Sequence, residues 1–139
     1  MINFETCIKE EKVKQVPRDY LRAKSMIKSS EQAITTARLI PLIENSAKTI
    51  FRELYESLRE YCEAVGYLKG YKFLDHLSIT CFLKDILKED IISSKFDRYR
   101  KLRIGINYYG DNVNIETVKA ALIEIPKLIN QLKRHAKIK

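Results

Sequence analysis

The sequence predicts an all-α protein: an up-down antiparallel bundle of five or six helices, forming one domain over residues 1–139. Three observations carry that prediction. Apolar residues recur at steps of three and four along most of the chain, the period that aligns one face of an α-helix. No segment keeps the every-second-residue alternation of a half-buried strand. Only four glycines and three prolines occur among 139 residues, 32% of which are charged, and that combination favours long helices over a turn-rich fold.

Residues 1–16 are weakly periodic and support no more than a short helix. Pro17 then stands where a first helical turn tolerates it. Tyr20, Leu21, Met26 or Ile27, Ala33 or Ile34, and Ala37 keep a helical step up to Ile40, and Pro41 ends or kinks that helix because it lacks a donor and crowds the preceding turn. The strongest pattern follows: Ile43, Ala47, Ile50, Phe51, Leu54, Leu58, Tyr61, Val65 and Leu68, with Asn45 or Ser46 as its cap and Gly66 and Gly70 loosening its end. A fourth helix, from about Phe73 to Leu87, buries Phe73, Leu74, Leu77, Cys81 and Ile86 or Leu87, with Asp75 as a candidate cap. After a loop over Lys88–Ser93, Ser94 and Asp97 read as a capping-box start. The helix they open carries the stripe Phe96, Tyr99, Leu102, Ile106 and stops at Gly110, which reaches a left-handed backbone without a Cβ clash. Asn114 caps a last amphipathic helix through Ile115, Val118, Ala121 or Leu122, Ile125, Leu128 or Ile129, and Leu132, with a bend expected at Pro126.

Basic residues outnumber acidic ones 26 to 18, a net charge of +8 and a pI near 9.4. Such a surplus suits polyanionic partners, RNA or a nucleotide, or else is a lysine-rich solvated surface. Cys7, Cys62 and Cys81 are odd in number and lack a C-x-x-C spacing, so they read as reduced, buried thiols of a cytoplasmic protein. No pair of His, Cys or carboxylates has a ligand spacing, so neither a metal nor a cofactor is expected. The charged segment Ile8–Lys14 does not resemble a signal peptide, and no apolar run approaches about 18 residues, so no membrane association is expected.

The chemistry concentrates on the fifth helix. Arg98, Arg100, Lys101 and Arg103 lead into a turn carrying Asn107, Tyr108 and Tyr109, and Arg100, Arg103 and Asn107 share one face. Arg103 is a phosphate anchor through its planar fork, or an exposed or ion-paired helix arginine. Arg100 would add a second cation; Asn107 would hold Arg103, contact a nucleotide or cap the helix; Tyr108 and Tyr109 would stack on bases or pack against the bundle. His76 is a capped surface residue or a proton-transfer group brought in from elsewhere, and His135 sits in a basic tail. Glu63 is an acidic partner for Arg103 across the bundle, or part of a solvated face with Glu56 and Glu60. The run Lys127, Lys133, Arg134, Lys137, Lys139 complements a helix dipole or tracks phosphates.

The segment Tyr99-Arg100-Lys101-Leu102-Arg103-Ile104-Gly105-Ile106-Asn107-Tyr108-Tyr109-Gly110 resembles the signature helix of the HEPN (higher eukaryotes and prokaryotes nucleotide-binding) family, whose hallmark is an Arg followed four to six residues later by His. The order of a long central helix, a shorter one, the Arg-bearing helix and a final amphipathic helix resembles it too. The likeness covers about residues 17–136 as architecture but only about twelve residues as motif. It implies a prokaryotic homodimer that binds RNA or a nucleotide through Arg100, Arg103, Asn107, Tyr108 and Tyr109. It also implies two alternatives: a metal-independent endoribonuclease toxin paired with an antitoxin, using Arg103, Asn107 and Tyr108, or a protein-binding partner of a minimal nucleotidyltransferase. Arg103 matches the motif Arg, whereas Tyr108 stands where the family places His. A phenol titrating near 10 is a poor base at neutral pH, which points to binding with weak or absent cleavage.

Overall fold

The computed structural model describes residues 2–110 and 112–137, the side chain of Tyr108 excepted. Six α-helices carry the described residues: α1 (Phe4–Lys9), α2 (Tyr20–Leu39), α3 (Ala47–Lys69), α4 (Leu77–Asp85), α5 (Asp90–Tyr109) and α6 (Ile115–Leu132), followed by a 3₁₀ turn at Lys133–His135. The all-α bundle expected from the period is what forms. It includes a small element the alternation test missed, a two-stranded antiparallel ladder of β1 (Val13–Gln15) and β2 (Tyr71–Phe73) in the register Val13↔Phe73, Lys14↔Lys72, Gln15↔Tyr71. Three residues are too few to show a period of two.

Helix α3 is the axis of the fold. It packs against α2, α6, α5, α4 and β2, and the buried Ile50, Phe51, Leu54, Tyr55, Leu58, Tyr61, Cys62 and Val65 leave it little solvent-facing surface. Helix α2 runs antiparallel to it: Ala23 meets Ala64, and midway Ser30 Oγ donates to the Ser57 carbonyl (2.7 Å) while Ser57 Oγ donates to the Ser30 carbonyl (2.8 Å). That reciprocal pair satisfies two buried hydroxyls at a close approach of small residues. Helix α5 is also antiparallel to α3, with Phe51 against Tyr99 and Tyr55 stacked on Phe96. The pairing follows from the stripe Phe96, Tyr99, Leu102, Ile106, of which Leu102 is partly buried and the other three are buried.

The ends of the elements depart from the sequence reading in several places. Helix α5 begins at Asp90, not Ser94. Burial of Ile92 against the core extends it one turn backwards, and Asp97 is diverted from capping to accept from Thr80 Oγ1 on α4 (3.1 Å) and from Arg100 Nε (2.8 Å). Helix α4 begins at Leu77, because Phe73 is held in β2, and Leu74 is exposed. Asp75 does cap it, accepting from the Ser78 N–H (2.9 Å). Helix α3 begins at Ala47, and Ile43 lies exposed in the preceding turn, where Ser46 Oγ accepts from the Ile43 N–H (3.0 Å). Tyr20 and Leu21 are exposed at the start of α2. Gly70 ends α3 in the left-handed region (φ +87), and Gly110 ends α5 the same way (φ +67). Gly66, by contrast, is an interior position of α3 covered by the Phe73 ring. Helix α6 is capped by Asn114 and runs through Pro126.

Candidate functional site

Four of the side chains singled out by the sequence line one cleft. Arg100, Arg103 and Asn107 come from one face of α5, and His76 comes from the turn between β2 and α4. Tyr55 and Glu56 from α3 and Asp75 complete the polar wall of a cavity of about 420 Å³, with Leu74, Leu77 and Ile104 around it. The register of α5 on α3 explains the meeting: Phe96 and Tyr99 face inward, so the residues one step round the helix, Arg100 and Arg103, border α3 beside Tyr55 and Glu56.

The cations of α5 differ in how they are engaged. Arg98 donates to Glu124 of α6 (2.9 Å), Lys101 lies 3.3 Å from Asp97, and Arg100 gives its Nε to Asp97. Arg103 forms no ion pair among the described residues. Its Nε and one terminal nitrogen are buried without any hydrogen-bond partner. Buried guanidinium N–H groups left unsatisfied are costly, and among the described residues nothing offsets that cost. Arg52, one helical turn before Glu56 on α3, also has a buried Nε with no partner.

Glu63 is not the acid near Arg103. It is bonded to Arg59, one turn earlier on its own helix, and the acids that line the cleft are Asp75 and Glu56, the latter taking Arg59 Nε at 3.2 Å. Burial opposes the charge on Glu56, but the hydrogen bonds and charge of Arg59, with Arg103 and His76 further off, hold its carboxyl below the usual range. At the cleft mouth, His76 Nδ1 lies 2.8 Å from Tyr55 Oη. Partial burial, then the charge of Arg59, lower the His76 pKa from its ordinary value, with Arg103 adding to this and Glu56 and Asp75 opposing it. The imidazole is therefore neutral at pH 7. Burial drives the Tyr55 phenol well above its ordinary value, so it stays protonated.

Tyr109 is exposed and does not line the cleft, and the side chain of Tyr108 lies outside the described residues. Of the basic tail, Arg134 and His135 both bond Glu89 at the α4–α5 turn, Lys127, Lys133 and Lys137 are exposed, and Lys139 lies outside the described residues. Sequence reasoning missed Tyr55 and Glu56 as site residues. Tyr55 is hidden within the apolar run of α3, and its partner His76 is 21 residues away, so no local spacing marks the pair.

Among the described residues no group of three or more His, Cys, Asp or Glu side chains is placed to hold a metal, and no helix is long and apolar enough to cross a membrane. The chain matches no family model, no curated protein and no solved structure.

Proposed function

We propose that this chain is a HEPN-like RNA- or nucleotide-binding protein, acting as a homodimer, whose cleft between α3, the β2–α4 turn and α5 holds a phosphate group. The reading rests on the helix bearing Arg103 and on the bundle architecture rather than on a family match. One observation carries it: Arg103, with no ion-pair partner among the described residues and two buried guanidinium nitrogens left without acceptors, lines a cavity of about 420 Å³ together with Arg100 and Asn107. An anion there would take charge-assisted hydrogen bonds from the Arg103 guanidinium. Binding of a fluorescent single-stranded oligoribonucleotide tests it. Charge-assisted hydrogen bonds contribute about 1.5–3 kcal/mol, so Arg103→Ala should weaken binding roughly 10- to 100-fold, with smaller losses for Arg100→Ala and Asn107→Ala. Equal affinity in Arg103→Ala would overturn the reading.

His76 in the same cleft supports a second reading, cleavage of the bound RNA. The 2′-hydroxyl oxygen would attack the adjacent phosphorus and the P–O5′ bond would break. His76 would carry the proton from O2′ to O5′, leaving a 2′,3′-cyclic phosphate and a 5′-hydroxyl. Appearance of those ends with wild type, and their loss in His76→Ala at protein concentrations that saturate the RNA, distinguishes a nuclease from a binding protein.

A further inference from the structure

The walls of the cleft hold two carboxylates, Glu56 and Asp75, against two guanidiniums, Arg100 and Arg103. With a neutral His76 these lining charges cancel, and because Glu56 is also paired with Arg59, the positive charge left for an anion is that of Arg103 alone. The one lining group able to gain a positive charge near neutral pH is the imidazole. We propose that His76 is itself an anion ligand of this cleft, and that each phosphate bound there brings one proton onto its ring. The inference rests on the phosphate reading above and deepens it by coupling occupancy to pH.

The geometry permits the change without rearrangement. Nδ1 is engaged by Tyr55 Oη, and Nε2 has no hydrogen-bond partner among the described residues. In the neutral ring one nitrogen donates and the other accepts, while in the cation both donate. A phenol hydroxyl serves either state, donating to Nδ1 before protonation and accepting from it afterwards. The charged groups facing the ring are Glu56 and Arg59 on α3, Asp75 beside it, and Arg100 and Arg103 on α5. Arg59 and Arg103 disfavour the cation in the free protein, and a phosphate seated on Arg103 reverses the second of these effects. Nε2–H then donates to a phosphate oxygen opposite the guanidinium. Protonation and anion binding promote each other by linkage.

The test uses 5′-hydroxyl hexauridylate, whose phosphodiesters do not titrate near neutral pH, so every proton taken up belongs to the protein. Calorimetric titrations in buffers of different ionisation enthalpy, across about pH 5.5 to 8, should show uptake approaching one proton per site. Affinity should fall up to tenfold per pH unit between the free and bound pKa values of His76. His76→Gln should bind with no proton uptake and a flat pH profile, whereas His135→Gln should behave as wild type. The His76 Cε1–H resonance of the unmodified protein, followed with and without hexauridylate, reads the same shift without a variant. Binding that depends on Arg103 but leaves that resonance's midpoint unmoved overturns the proton coupling and leaves the phosphate reading standing. Binding indifferent to Arg103, or no binding, removes both.

Discussion

At the scale of single residues, Arg103 buries two guanidinium nitrogens for which no described residue supplies an acceptor. Its buried Nε and terminal nitrogen give up water without gaining an acceptor, and Glu56 is already served by Arg59. An apolar replacement of similar length should therefore stabilise the free protein, as happens where a functional site keeps a group that folding does not need. Arg103→Met is expected to raise stability by about 1 kcal/mol in chemical denaturation while weakening RNA binding roughly 10- to 100-fold, and a destabilised Arg103→Met would mean that the guanidinium has an internal partner. His76 makes a complementary prediction. Its folded-state pKa lies below the ordinary 6.5, so between those two values the unfolded chain holds the extra proton. Stability from this group is fully present above about pH 6.5 and is lost as pH falls through the folded-state value. Denaturation midpoints measured from about pH 7 to pH 5 should thus decline less steeply in His76→Gln than in wild type, with equal slopes counting against the assignment.

At the scale of elements, the position of His76 depends on how β2 leaves α3. Gly70 turns the chain at φ +87, and Tyr71–Phe73 folds back over α3 so that Phe73 lies on Gly66. A Cβ at position 66 would run into the Phe73 ring and lie 3.3 Å from the Tyr71 carbonyl. Alanine would gain about 1 kcal/mol of helix propensity, but displacing a ring wedged against backbone costs typically 1–3 kcal/mol. Gly66→Ala should accordingly be destabilising by roughly 1 kcal/mol, and should weaken RNA binding indirectly by shifting the turn that carries His76. Thermal melts and anisotropy titrations of the same variant check both halves. The reason this could not be read beforehand is instructive. The apolar stripe of α3 from Ala47 onward and the caps Asn114 and Asp75 are local patterns, and each formed where the spacing put it, whereas Ile43 fell outside the helix. Gly66 has a local reading too, a loosened helix end, but its use is set by a residue seven positions later that returns to cover it. The start of α5 likewise depended on Ile92 finding the core and on Thr80 claiming Asp97, both contacts between elements. The site divides the same way: the α5 face Arg100, Arg103, Asn107 was legible from period alone, whereas Tyr55 and Glu56 entered only through the α3–α5 register.

At the scale of the molecule, a net charge of +8 gives any nucleic acid an unspecific attraction, and affinity alone will not separate that background from the cleft. Salt dependence does. Each phosphate neutralised on a single strand contributes about −0.7 to the slope of log affinity against log salt. Exposed lysines such as Lys127 on α6 and Lys133 in the turn after it contribute to that slope and to little else. Removing Arg103 should make the slope shallower by about 0.7 and also lower affinity extrapolated to high salt, where counterion release has vanished and only the buried, geometrically fixed contact remains. A Lys127→Ala, Lys133→Ala double variant should instead lower the slope while leaving the high-salt affinity and the pH dependence intact. If the two sets of variants proved indistinguishable, the cleft would be adding nothing beyond charge, and the protein would be holding RNA by its surface.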